Sequence, residues 1–197
     1  MSDIIETTEA APYKGEAPMT IVEPQPPLPD HSIEKFSPAI QEIIRKNGWD
    51  DLMLVQKKAV PYLVNAMDLI VQSKTGSGKT GAFILPLLQV IEKSHLKPQA
   101  LIMAPTRELA MQVFEEAKRF GEPLGIRSVA VYGGVAYQPQ LDAFKSGVHI
   151  VVGTPGRLLD HILNGNLKLD SVRDLVLDEA DEMLSMGFYP DMKRIRG

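Results

Sequence analysis

Leu69-Ile70-Val71-Gln72-Ser73-Lys74-Thr75-Gly76-Ser77-Gly78-Lys79-Thr80 carries a short apolar run into a glycine-flanked lysine, and a helix-forming segment follows. Glycines at 76 and 78 let the backbone turn its amides inward around phosphate oxygens, and the next helix adds its positive end. Lys79 supplies a point charge for the β and γ phosphates, and Thr80 a hydroxyl for magnesium. Ser73 stands where the usual phosphate-loop pattern has its first glycine. A glycine-rich linker with an incidental Lys-Thr pair would not sit between a strand and a helix. Ser73, Lys74, Thr75, Gly76, Ser77, Gly78, Lys79 and Thr80 therefore read as a nucleotide-phosphate loop.

Downstream, Leu175-Val176-Leu177 ends in Asp178-Glu179-Ala180-Asp181. A strand places Asp178 at the carboxyl edge of a sheet, where ligands of open α/β folds collect. Asp178 is the candidate magnesium ligand with Thr80, and Glu179 the candidate to orient or activate a hydrolytic water. The same four residues also read as the acid-rich first turn of a solvated helix. With the phosphate loop upstream, the pair points to a nucleoside triphosphatase whose catalytic residues are Lys79, Asp178 and Glu179.

Between and around these motifs, apolar runs alternate with amphipathic ones. Strands are predicted at 69–72, 100–104, 128–132, 148–152 and 174–177. Helices are predicted from Ser37-Pro38 to Gly48, and over 53–65, 79–93, 107–120, 139–145 and 156–163. Strand then helix, repeated, means an α/β fold with a mainly parallel sheet flanked by helices.

The chain of 197 residues is 44% apolar and carries a formal charge of -4. Residues 1–30 hold six acids against one base, with six of the fifteen prolines. Such a segment buries too little surface to offset its ordering entropy, so 1–30 reads as an acidic, proline-rich flexible tail and 31–197 as one domain. The remainder is nearly neutral, so any nucleic-acid binding depends on local placement of Arg, Lys and amides. Cysteine is absent, which excludes disulfide scaffolds, thiol catalysis and Cys-ligated zinc. No apolar run approaches the ~20 residues that span a bilayer, and a secretory leader pattern is missing; a cytoplasmic setting with no membrane partner is expected.

Three further segments, Pro105-Thr106-Arg107-Glu108-Leu109-Ala110, Gly133-Gly134 and Thr154-Pro155-Gly156-Arg157, complete an ordered set. With them, residues 31–197 resemble the first RecA-like lobe of a DEAD-box ATP-dependent RNA helicase. The resemblance implies ATP and Mg2+ at the phosphate loop, and RNA held by its sugar-phosphate backbone on Thr106, Arg107, Gly134, Thr154, Gly156 and Arg157. The residue types agree, because hydroxyls, arginines and amides at helix starts suit phosphates and ignore base identity. Taken singly, Arg107 and Arg157 would each read as a surface salt bridge.

The resemblance also places an adenine-selecting glutamine at Gln56, whose amide can donate and accept against the N6/N7 edge. Leu52-Met53 replaces the Pro-Thr pair usual before it, and His31 stands where an aromatic usually stacks on adenine, with Phe36 five residues on. Trp49 reads as packing, and a lone histidine such as His31 as plain surface.

A second RecA-like lobe is the implied partner, and residues 1–197 do not contain it. The fold is therefore expected to be incomplete at its C-terminal side. A strand is expected to be missing between 69–72 and 174–177, leaving unpaired backbone and an uncovered apolar side on each. The second lobe should bring arginines to the γ phosphate, worth ~10³ to 10⁵ in rate, so the first lobe alone should bind but hardly turn over. Two other readings stay open: a non-catalytic nucleotide- or RNA-binding decoy, and a related two-lobed motor on DNA.

Overall fold

The computed structural model describes residues 26–196, so most of the predicted tail lies outside the described residues. Its end is held in place: Leu28 N donates to Tyr62 Oη at 3.1 Å, and Asp30 pairs with Lys58 at 2.8 Å.

Two helices open the domain, α1 (Pro38–Lys46) and α2 (Leu54–Val64). Proline at the first turn of α1 costs no hydrogen bond there, and Ile40, Ile43 and Ile44 bury one stripe of that helix. Then follow α3 (Lys79–Val90), β1 (Ala100–Met103), α4 (Arg107–Gly121), β2 (Ser128–Val131), α5 (Gln138–Ser146), β3 (Ile150–Gly153), α6 (Pro155–Leu163) and β4 (Asp174–Leu177). Two short helices finish it, α7 (Ala180–Ser185) and α8 (Tyr189–Arg196).

The sheet runs β2-β3-β1-β4, and every pairing is parallel. Parallel neighbours need a crossover, and the helices between strands supply it. The register sets Met103 against both Gly153 and Leu177, and Gly153 against Val131. All four strands thus end on one edge, and the segments that follow them meet there.

Successive strand residues face opposite sides, and each side has its own core. Ala100, Ile102, Ile150 and Val152 pack with apolar residues of α1, α3 and α4. Leu101, Met103, Val129, Val131 and Val151 pack with residues of α6 and α8 and with Met183. Trp49 packs as expected, its ring 5.1 Å from that of Phe120.

One predicted strand is not formed. Residues 67–74 have no regular structure, and Ile70 is 98% exposed. A strand is made by its ladder partners, and among the described residues 69–72 has none. Among the described residues β4 pairs only with β1, which leaves its outer edge open, and Leu175 and Leu177 are 42% and 40% exposed. The expected uncovered apolar side is there. The expected strand at 69–72 is a chain segment without a sheet.

Candidate functional site

The phosphate loop wraps its own lysine. Lys79 Nζ donates to the carbonyls of Ser73 and Lys74, and Ser77 N donates to Lys74 O at 3.3 Å. Gly78 precedes α3 at φ +91, and a Cβ there would stand 2.8 Å from Gln56 Nε2. Only glycine combines that backbone with that approach. Thr80 follows, partly buried in the first turn of α3.

Gln56 is fully buried and joins α2 to the loop. Its Oε1 accepts from Met53 N at 2.9 Å and its Nε2 donates to Gly78 O at 3.1 Å. The amide predicted to face adenine is thus occupied by the protein. His31 departs from its surface reading: it is 7% exposed, edge-on to Phe36 at 4.6 Å, and its buried Nε2 has no partner among the described residues.

Asp178 caps β4, its N–H bonded to Met103 O at 2.9 Å. Burial, then the Glu179 carboxylate, raises its pKa; the Lys79 ammonium and the Glu179 N–H pull it back. The loop lysine and the strand-end acid therefore lie within each other's field. Glu179 holds a left-handed backbone, φ 50 and ψ 52, a conformation costing a non-glycine residue ~1–2 kcal/mol. Glu182 is raised first by its hydrogen bond with Glu179.

These residues fit a magnesium-bound triphosphate. Asp178 is a buried carboxylate whose desolvation the Lys79 ammonium only partly offsets, and Ser77 Oγ is buried with no partner among the described residues. Among the described residues no group of three or more acidic, His or Cys side chains could cage a metal. One carboxylate with one hydroxyl, Asp178 and Thr80, suits magnesium, which takes one or two carboxylates and completes its shell with substrate phosphates and water.

The segments after β1, β2 and β3 build a second feature, a groove of about 550 Å³. Pro105, Thr106, Arg107, Glu108, Gly133, Thr154, Gly156 and Arg157 line it, with Asp160, Met186 and Phe188. Thr106 caps α4, its Oγ1 accepting from Leu109 N at 3.2 Å, and Thr154 precedes α6. The Arg107 guanidinium lies across Gly134, where any Cβ would collide with it, and φ there is +78. A Cβ on Gly133 would stand 4.0 Å from Arg157 Nη2. Two arginines therefore flank the glycine doublet. Among the described residues neither pairs with a carboxylate within 4.0 Å, so the salt-bridge reading does not hold.

Sequence reading missed Glu108, Asp160, Met186 and Phe188 as groove residues. Met186-Gly187-Phe188 follows α7, so a six-residue helix joins the acid pair to the groove. Lone side chains reached across a fold carry no spacing signal.

Residues 53–197 match the family described as DEAD/DEAH box helicase. The chain is 49% identical over 152 residues to the DEAD-box ATP-dependent RNA helicase CshA of Streptococcus pneumoniae, covering 77% of this chain and 29% of that protein. It is 48% identical over 157 residues to the ATP-dependent RNA helicase DeaD of Escherichia coli, covering 79% and 25%. The crystal structure of a DEAD box protein from the hyperthermophile Methanococcus jannaschii superposes with a TM-score of 0.77 at 42% identity, covering 82% of this chain and 44% of that one. The chain thus spans less than half the length of each.

Proposed function

Because the chain belongs to the DEAD/DEAH box helicase family, we propose that it is the first, ATP- and RNA-binding lobe of an ATP-dependent RNA helicase. The observation that carries this reading is the shared sheet edge. A phosphate loop with a buried acid, and a groove with two arginines that pair with no carboxylate among the described residues, open on the same ends of one parallel sheet.

In this proposal Lys79 leaves the Ser73 and Lys74 carbonyls for the β and γ phosphates, and the loop amides and Ser77 Oγ surround them. Thr80 and Asp178 would hold magnesium, which neutralises phosphate charge and orients the terminal phosphoryl group. Glu179 positions the attacking water. Gln56 reads adenine only by exchanging its bonds to Met53 and Gly78, so nucleotide entry and loop geometry are coupled through one amide. Thr106, Arg107, Gly134, Thr154, Gly156 and Arg157 hold an RNA strand by its backbone, which binds without reading sequence.

A second RecA-like lobe of the same protein would close over both sites, and coupling hydrolysis to local strand separation belongs to that pair. The open edge of β4 and the solvent-facing Ile70 support the view that further chain packs here. No described helix is long and apolar enough to cross a membrane; a cytoplasmic setting, supported by the cysteine-free composition, is part of the proposal.

The test is Lys79→Ala in the full-length protein. RNA-stimulated phosphate release should fall about 10²- to 10³-fold, the usual loss when one charge-stabilising donor is removed. Unchanged turnover would overturn the assignment. RNA binding without turnover by the wild-type full-length protein would select the decoy reading instead.

A further inference from the structure

Resting on the RNA-groove reading, we propose that buried Gln140 is a positioning residue: with His161 it fixes the Arg157 guanidinium and the glycine-doublet loop in one relative register. Gln140 lies on α5, 4% exposed, and is not among the residues lining the groove. Its Nε2 donates to the carbonyl of Tyr132, directly before Gly133, at 3.2 Å. Its Oε1 accepts from His161 Nε2 at 2.9 Å and faces Arg157 Nη1 at 3.5 Å. One side chain thus touches both elements that present backbone-binding groups to the groove.

Only one orientation of the amide satisfies all three partners. Turning it over would aim an NH2 at the arginine and the carbonyl oxygen at another carbonyl. The same logic fixes the histidine: the proton sits on Nε2, and Nδ1 is left buried without a partner among the described residues. His161 is fully buried, stacked on Tyr137 at 4.2 Å and 19°, with the Phe144 ring edge-on at 5.1 Å. Tyr137 in turn carries Arg157 over its face, Cζ 5.1 Å from the ring centroid, and its hydroxyl accepts from Asn166 at 3.1 Å. The guanidinium is therefore bracketed by a carbonyl oxygen and an aromatic face, with its outer nitrogen toward Gly133.

A volume-matched apolar residue at 140 would spare the cost of burying an amide, since a buried polar group repays its desolvation only when fully bonded. What the amide adds is direction. The 3.5 Å contact is too long to be a strong bond, so its effect is to steer Arg157, and its loss is felt through Arg157.

The experiment uses the full-length protein, a short fluorescein-labelled single-stranded RNA and a fluorescent ATP analogue. Gln140→Leu should weaken RNA binding about tenfold while ATP-analogue affinity holds within about twofold, and in an Arg157→Ala background the same change should have almost no effect, because residues acting through one another are non-additive. Gln140→Glu keeps an acceptor for Arg157 and His161 but cannot donate to Tyr132 O. It should lose less RNA affinity than Gln140→Leu, and it serves in its place should the leucine variant not fold. Wild-type RNA affinity in Gln140→Leu, or an equal loss with and without Arg157, overturns the proposal. A wild-type protein that binds the ATP analogue but no RNA overturns the groove reading itself, and the proposal with it.

Discussion

The two halves of the sheet edge are built to different standards. At the groove, β3 and β1 are paired on both sides, β2 is an edge strand whose Val129 and Val131 are buried, and the arginines are set by Gly134, Gln140 and Tyr137. At the phosphate loop, residues 67–74 have no ladder, Ile70 stands in solvent, and Lys79 bonds to its own loop carbonyls. One half is pre-organised by the fold. The other, under the proposed function, is left to be organised by its ligand and by what packs against β4. Under the proposed function, a groove for a repetitive backbone can be rigid, whereas a site that would cycle between triphosphate and diphosphate gains from a lysine that can release its hold.

The sharpest way to break this comparison is a pair of isoleucines. Ile102 is fully buried between the sheet and its helical layer, and Ile70 is 98% exposed. Ile102→Ala should cost ~2–5 kcal/mol of unfolding free energy, the range for large-to-small changes in a packed core. Ile70→Ala should stay within ±0.5 kcal/mol, as surface changes do. Urea titration of both variants in this 197-residue chain measures the difference. A cost at Ile70 near that at Ile102 would show that the loop side is packed in solution, and the contrast would fail.

That pair also explains what the sequence disclosed. The alternation that predicted 100–104, 128–132 and 174–177 is a local property, and those strands form within a residue or so of the expected limits. Residues 69–72 are as apolar as the others, but a strand exists only through its neighbours, and no pattern within the segment reports a neighbour. The motifs Thr106-Arg107, Gly133-Gly134 and Thr154 to Arg157 were legible because each is a run of consecutive residues soon after a strand, and the structure brings the three runs together at one groove. Gln140 and His161 were not. They meet at 2.9 Å across a turn and two elements, each looking alone like an ordinary helix residue. The burial of His31 was hidden for the same reason.

A smaller effect sharpens the groove side alone. Gly134→Ala places a methyl where the Arg107 guanidinium lies, at a backbone angle that costs a non-glycine residue ~1–2 kcal/mol. The arginine or the loop has to move. RNA affinity of the full-length protein should drop about tenfold, the equivalent of ~1.4 kcal/mol, with ATP affinity unchanged. Equal losses at both ligands would mean that the halves are not independent.

The gentlest probe is pH, to which the buried histidines and the buried aspartates respond with opposite sign. His161 beside the groove and His149 below β3 both have pKa values lowered from 6.5, chiefly by burial. His149 is neutral by construction: Nδ1 accepts from Arg127 N at 2.9 Å and Nε2 faces Lys93 O at 3.2 Å. The unfolded chain takes up these protons first, so the stability they represent is present above 6.5 and drains as pH falls through the lowered folded values. Asp178 and Asp174 are raised from 3.8, chiefly by burial. Folded Asp178 therefore costs stability while ionised, and acid relieves that cost as pH descends through its raised value toward 3.8. Asp178→Asn should accordingly raise the melting temperature of the nucleotide-free protein at pH 7.5. Its advantage over wild type should shrink as the buffer is taken toward pH 4, while both proteins lose stability below 6.5 through the histidines. An Asp178→Asn variant less stable than wild type at pH 7.5 would mean that Lys79 already compensates the carboxylate, leaving no electrostatic vacancy for a metal ion at the end of β4.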